Sequence, residues 1–141
     1  MPRPKPAARR RIMHIVEALP EGVAKPVLTH LCLEVRGKCF GWYMDNHHGD
    51  GRLQLNCKAQ PGKSHALAAR FPGVFHIPAY VGNKGWIGVW LDVPGVDWKL
   101  LKVLLTEAYC FVAPARLLQL LEAGESPPAA ADFGKLSLRR R

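Results

Sequence analysis

Two runs in the first half of the chain, His30–Val35 and Arg52–Lys58, alternate apolar and polar residues at every second position, and turn residues bound them. In His30–Val35, Leu31, Leu33 and Val35 fall on one face, and His30, Cys32 and Glu34 fall on the other. Arg36-Gly37-Lys38 reads as a turn that folds this run back against Cys39–Met44, which makes the pair a hairpin. Asp45 to Gly51 is a polar, glycine-bearing loop, after which Arg52 to Lys58 alternates again with Leu53, Leu55 and Cys57 inward. A period of two is the signature of a half-buried strand. Three successive antiparallel strands with one apolar face need a second layer to cover them.

The remaining segments supply that layer. Ile12 to Leu19 reads as a short helix stopped by Pro20, with Glu21-Gly22 as a turn. Lys63 to Arg70 reads as a second helix, closed by Phe71-Pro72-Gly73. Val74–Ile77 and Trp86–Leu91 read as two further short strands. Asp97 stands where an N-cap would, ahead of Trp98, Leu101, Leu104, Leu105, Ala108, Tyr109 and Val112, a stripe at three-and-four spacing. Ala115 to Leu121 reads as one more short helix after Pro114. The predicted fold class is therefore α+β, a two-layer domain over 12–122 in which an antiparallel five-stranded sheet carries helices packed on one face, in the order α-β-β-β-α-β-β-α. At 141 residues the chain is long enough to bury a real core in one domain. Residues 1–11 read as a basic Pro/Arg arm without periodicity. Residues 123–141 read as a disordered tail with terminal arginines.

Charge separates the arms from the body. The formal net charge is +9, yet residues 1–11 hold Arg3, Lys5, Arg9, Arg10 and Arg11 with no acid, and residues 132–141 hold four basic residues against Asp132. The body is nearly neutral, but residues 36–84 carry seven basic side chains against only Asp45 and Asp50. No apolar run approaches the roughly 20 residues that span a bilayer. The amino terminus lacks the apolar core of a secretory signal. The four cysteines, Cys32, Cys39, Cys57 and Cys110, form no C-x-x-C pair. They read as free thiols of a reducing compartment rather than zinc ligands. A cytoplasmic protein without a membrane partner is expected.

The stretch from Pro78 to Asp92 places Lys84 in a glycine-flanked turn, with Tyr80 and Trp86 on either side. Gly82-Asn83-Lys84-Gly85 is too short for a phosphate-cradling Walker loop and leads into a strand instead of a helix. His47-His48-Gly49-Asp50 offers two imidazoles and a carboxylate on one loop, and reads as a solvated turn for want of a fourth ligand. His76, beside Phe75 in a strand, reads as a structural histidine. No Ser/His/Asp order suggests a triad, and the carboxylates are unpaired. No catalytic residue, metal or cofactor is predicted, and the expectation is that the chain is not an enzyme.

Several motifs occur together in a fixed order: Val35-Arg36-Gly37-Lys38-Cys39-Phe40, Leu55-Asn56-Cys57-Lys58, Pro78-x-Tyr80 with Gly85-Trp86, Val96-Asp97-Trp98, and Ala108-Tyr109 with Val112-Ala113-Pro114 and Arg116-Leu117. In this the chain resembles the MmcQ/YjbR family from about Leu19 to Leu121. The resemblance implies a compact α+β domain of the double-wing, secretion-chaperone-like type. Members are commonly labelled DNA-binding, and the family has no agreed catalytic residues to carry over. The residues allow a matching physical reading. Arg36, Lys38, Arg52, Lys58 and Lys84 sit at strand ends and turns, where they would neutralise phosphates without reading sequence. Tyr80 and Trp86 would stack on unpaired bases if exposed, though core burial is the competing reading for each ring. The leading expectation is a non-catalytic domain that binds nucleic acid, DNA in particular. The alternative is a protein-interaction or chaperone-like module that holds a peptide or a second copy of the chain.

Overall fold

The computed structural model describes residues 4–79 and 81–124. Six strands form one antiparallel sheet in the order β1-β2-β3-β4-β6-β5, with β1 Gly22–Val27, β2 His30–Val35, β3 Lys38–Asp45, β4 Leu53–Cys57, β5 Phe75–His76 and β6 Ile87–Trp90. Four helices accompany it: α1 Pro4–Glu17, α2 Lys63–Arg70, α3 Trp98–Val112 and α4 Ala115–Gly124. The core lies between the helices and one sheet face. Ile12 and Val16 of α1 and Leu101, Leu104, Leu105 and Ala108 of α3 meet Leu31, Leu33, Leu55, Cys57, Ile87 and Val89 there, all buried. The α+β class and the one-sided helical layer therefore hold. Among the described residues no helix is long and apolar enough to cross a membrane.

Two expectations need correction. The sheet has six strands, because 22–27, of which the sequence assigns only Gly22, to a turn, is an edge strand paired with β2 along its whole length. Lys25 and Pro26 break its alternation, and only Ala24 is buried. An edge is where a sheet tolerates proline, since one side of the strand needs no donors. The other edge, β5, is two residues long.

The basic arm is also ordered in large part: α1 begins at Pro4, ahead of the expected Ile12. Pro4 and Pro6 lie in the first helical turn, where the backbone N–H has no intrahelical partner, so neither breaks the helix. Ala8, Ile12 and Val16 at four-residue spacing form its buried stripe. The tail from 125 onward lies outside the described residues.

Elsewhere local chemistry and structure agree. Arg36 and Gly37 both take positive φ, 50° and 77°, the two-residue primed turn that matches strand twist. Asp97 caps α3 by accepting a hydrogen bond from the Leu100 N–H at 3.1 Å. Tyr109, buried in α3, donates its hydroxyl to the Pro20 carbonyl at 2.6 Å. That bond brings the end of α3 beside the end of α1, so the two helices run side by side in the same sense.

Candidate nucleic-acid interface

Strand register distributes six of the seven candidate residues between opposite ends of the sheet. β3 starts at Lys38, β4 ends at Cys57, and β6 starts at Ile87 opposite Cys57. Arg36, Lys38, Lys58, Lys84 and Trp86 therefore share one end. Arg52 precedes Leu53, which pairs with Asp45, the last residue of β3, so it lies at the other end. Tyr80 lies outside the described residues.

Two of the five cations are already neutralised by carboxylates. Arg36 donates to both Glu21 oxygens at 2.8 and 3.0 Å, and the guanidinium holds the Glu21 carboxyl below its ordinary value. Arg52 makes the same fork to Asp92, 2.8 Å on each arm, and lies 3.9 Å over the Trp90 ring. Asp92 also accepts from the Leu53 N–H, and its pKa falls chiefly through the Arg52 hydrogen bond. Bidentate arginine–carboxylate pairs fix geometry and spend the charge locally. Trp86 is buried, with the Lys58 ammonium 5.7 Å from its ring, so it offers no face to a base. Lys38 and Lys84 are exposed and Lys58 half-buried. The expected positive band across Arg36, Lys38, Arg52 and Lys84 is thus interrupted by distance and by two ion pairs.

A different surface gathers cations. An open groove of about 880 Å³ runs between the first half of α1 and the start of α3. Arg10, Arg11, Lys99 and Lys102 line it together with His14, and Glu17 is the one acid on its walls. All four cations are exposed, and none forms an ion pair with a described acid. The Arg11 guanidinium sits 5.2 Å from the Trp98 ring in the groove floor. Lys99 and Lys102 occupy the first turns of a fifteen-residue helix that has no acid in its first turn. The Asp97 cap meets the positive helix end, and Lys99 adds a cation to the same first turn, with Lys102 just beyond it. Sequence reading missed this surface because it joins the supposed arm to a helix far along the chain. The two lysines just after the Asp97 cap were the available signal.

The opposite sheet face carries a second, smaller concavity of about 300 Å³, bounded by His47, His48, Asp50, Gln54, Asn56, His76, Ala79 and Trp90. Burial depresses the His76 and His47 pKa values below the ordinary 6.5. The Arg52 charge adds to the effect at His76, and the neighbouring His48 and His30 add to it at His47. As pH falls, the unfolded chain takes up these protons first. Stability present above about pH 6.5 is therefore lost as pH drops from there through the lower folded-state values. Melting scans at pH 7.5 and 5.5 should show the lower midpoint at 5.5, and His76→Phe should shrink that gap. Among the described residues no three His, Cys, Asp or Glu side chains gather closely enough to hold a metal ion.

A family model described as YjbR matches residues 16–111. No curated protein matches the chain. Among solved structures the chain is similar to the Deinococcus radiodurans protein DR2400, described by the domain DUF419. That similarity has a TM-score of 0.58 and 19% identity, over 87% of this chain and 85% of that one. At that identity the likeness speaks to the fold alone.

Proposed function

The chain belongs to the YjbR family, and on that premise we propose that it is a non-catalytic module that binds nucleic acid, DNA in particular, through its phosphates, with the groove between α1 and α3 as the principal contact. The observation that carries this reading is the set of four cations on one groove, none of them in an ion pair with a described acid and two of them near the start of α3. The groove sequence includes no constellation that would read base edges, so binding is indifferent to sequence. The strand-end lysines Lys38, Lys58 and Lys84 form a separate, weaker contact at the far end of the sheet.

Counterion release makes the test quantitative. Four phosphate contacts give a logarithmic salt slope near −3.6 on duplex DNA, so affinity should fall about 150-fold between 50 and 200 mM salt. Fluorescence anisotropy with an arbitrary duplex measures this. A slope near zero would sink the reading. Replacing Lys38, Lys58 and Lys84 together by Ser should change the slope less than replacing the groove cations.

Met13, Ile15 and Trp98 give the same groove an apolar floor, and that observation favours one second reading: an acidic, amphipathic peptide segment of a partner protein. Such a peptide would bind with a shallow salt slope and would compete poorly with DNA.

A further inference from the structure

We propose that the concavity on the sheet face turned away from the helices is a binding site for one neutral, planar, hydrogen-bonding ring, an unpaired nucleobase, with Gln54 and Asn56 reading its edge. Alternation in β4 sends Leu53, Leu55 and Cys57 to the core and Gln54 and Asn56 to the other face, about 7 Å apart along the strand. Solvent-facing amides would be unremarkable, but these are buried, at 6% and 2% exposure. The Asn56 Oδ1 is fully enclosed and accepts no hydrogen bond, and the same holds for the His76 Nε2 at the same concavity. Buried polar atoms left without partners cost stability unless a water or a ligand supplies the missing bond.

The surroundings are built to hold such a ligand flat. Asn56 pairs with Gly88 across the strands, and Gln54 pairs with Trp90. A Cβ at Gly88 would come within 2.2 Å of the His76 ring, so only glycine lets that imidazole lie down on the sheet beside Asn56. His76 in turn stacks on Trp90 with centroids 4.0 Å apart and planes 25° apart. The Arg52 fork to Asp92 pins the indole by lying 3.9 Å over its ring. The rings of His47 and His48, 3.9 Å apart, stand at the rim with Asp50.

The lining selects the ligand's chemistry. Two carboxamides offer donors and acceptors alike, and burial keeps His47 and His76 in their neutral forms near pH 7. Arg52, the cation over Trp90, is already committed to Asp92. An ion gains little from such a lining, whereas a neutral ring with a donor and an acceptor on adjacent edge atoms gains two bonds from one such amide. Asparagine and glutamine make that paired contact to adenine edges. Imidazole rings are surfaces on which unstacked bases rest. In a duplex those bases are stacked and paired, so the site takes a free nucleoside or a base of a single strand. It faces away from the α1–α3 groove and stands whether or not that groove binds phosphate.

The experiment is a nitrogen-15 NMR titration of the full chain, reading the side-chain amide signals of Gln54 and Asn56 and the Trp90 indole signal. The probes are the four uncharged nucleosides, N-acetylglycinamide as a peptide-like amide, and short single-stranded and duplex oligonucleotides. At least one nucleoside should shift both amide signals saturably. Asn56→Leu should weaken that nucleoside at least about tenfold while raising the melting temperature, because the orphaned oxygen is gone. The salt slope for duplex DNA should stay as in the parent, which separates failure here from failure of the phosphate reading. Should Asn56→Leu not fold, His76→Phe keeps a ring and removes the free nitrogen, with the same loss expected. Saturation by nucleosides without tighter binding of single strands assigns the site to free nucleosides. Tighter binding of single strands assigns it to polymer. Silence of both amide signals toward every nucleoside and single strand overturns the proposal, as does an equal response to N-acetylglycinamide or parent-like affinity in Asn56→Leu.

Discussion

Reversing charge at Arg10, Lys99 and Lys102 to Glu is expected to weaken duplex binding about 100-fold or more at 50 mM salt, and to flatten the salt slope by nearly three of its phosphate contacts. The same variant should melt at an unchanged or slightly higher temperature. Lys99 lies in the first turn of α3, where a carboxylate stabilises by about 0.3–1 kcal/mol, and Lys102 lies just beyond that turn. Arg11 is left in place because its contact with Trp98 contributes to packing. Loss of binding and gain of stability in one protein rule out unfolding as the cause. Anisotropy titrations at three salt concentrations, paired with a melting curve, check both halves. Full affinity in the variant would remove the groove from the account.

Glu107→Ala is expected to be the most damaging single change to the fold. Lys63, the first residue of α2, reaches Glu107 in the middle of α3 at 2.8 Å, and both side chains are nearly sealed from water, at 6% and 2% exposure. Truncating the carboxylate leaves an ammonium buried without its counter-charge, which costs about 3–5 kcal/mol. For a domain of this length that corresponds to a fall of about 10–20 °C in midpoint. Replacing both partners by apolar residues of similar volume, Lys63→Met with Glu107→Leu, should recover most of the loss, because the pair repays little beyond its own desolvation. Thermal melts of the parent, single and double variants form the test. A single variant within about 2 °C of the parent would contradict the buried pair.

The parts of the fold legible in the sequence are those specified by neighbours in the chain. Lys63–Arg70, the Arg36-Gly37 turn and the apolar stripe of α3 each carry their own signal and fall where that signal puts them. β1 escaped because its proline and lysine suit an edge and erase the alternation. The first turns of α1 escaped because proline, a breaker inside a helix, is harmless at its start.

The site was less legible, since its charges are settled by distant partners. Arg36 meets Glu21 fifteen residues away, and Arg52 meets Asp92 forty residues away. A tally of cations along the chain counts these as free. The groove draws on two helices that only tertiary packing brings together. Gln54 and Asn56 follow the polar half of a strand pattern, which normally points to solvent. Their burial arises from His76 and the His47–Asp50 loop standing around them.

The two borders of the sheet bear on self-association. On β1 a proline and a lysine occupy consecutive positions, and β5 is too short to template a neighbour. Neither margin presents a run of backbone donors and acceptors onto which another molecule can zip. Growth of extended ribbons through either border is disfavoured by these residues.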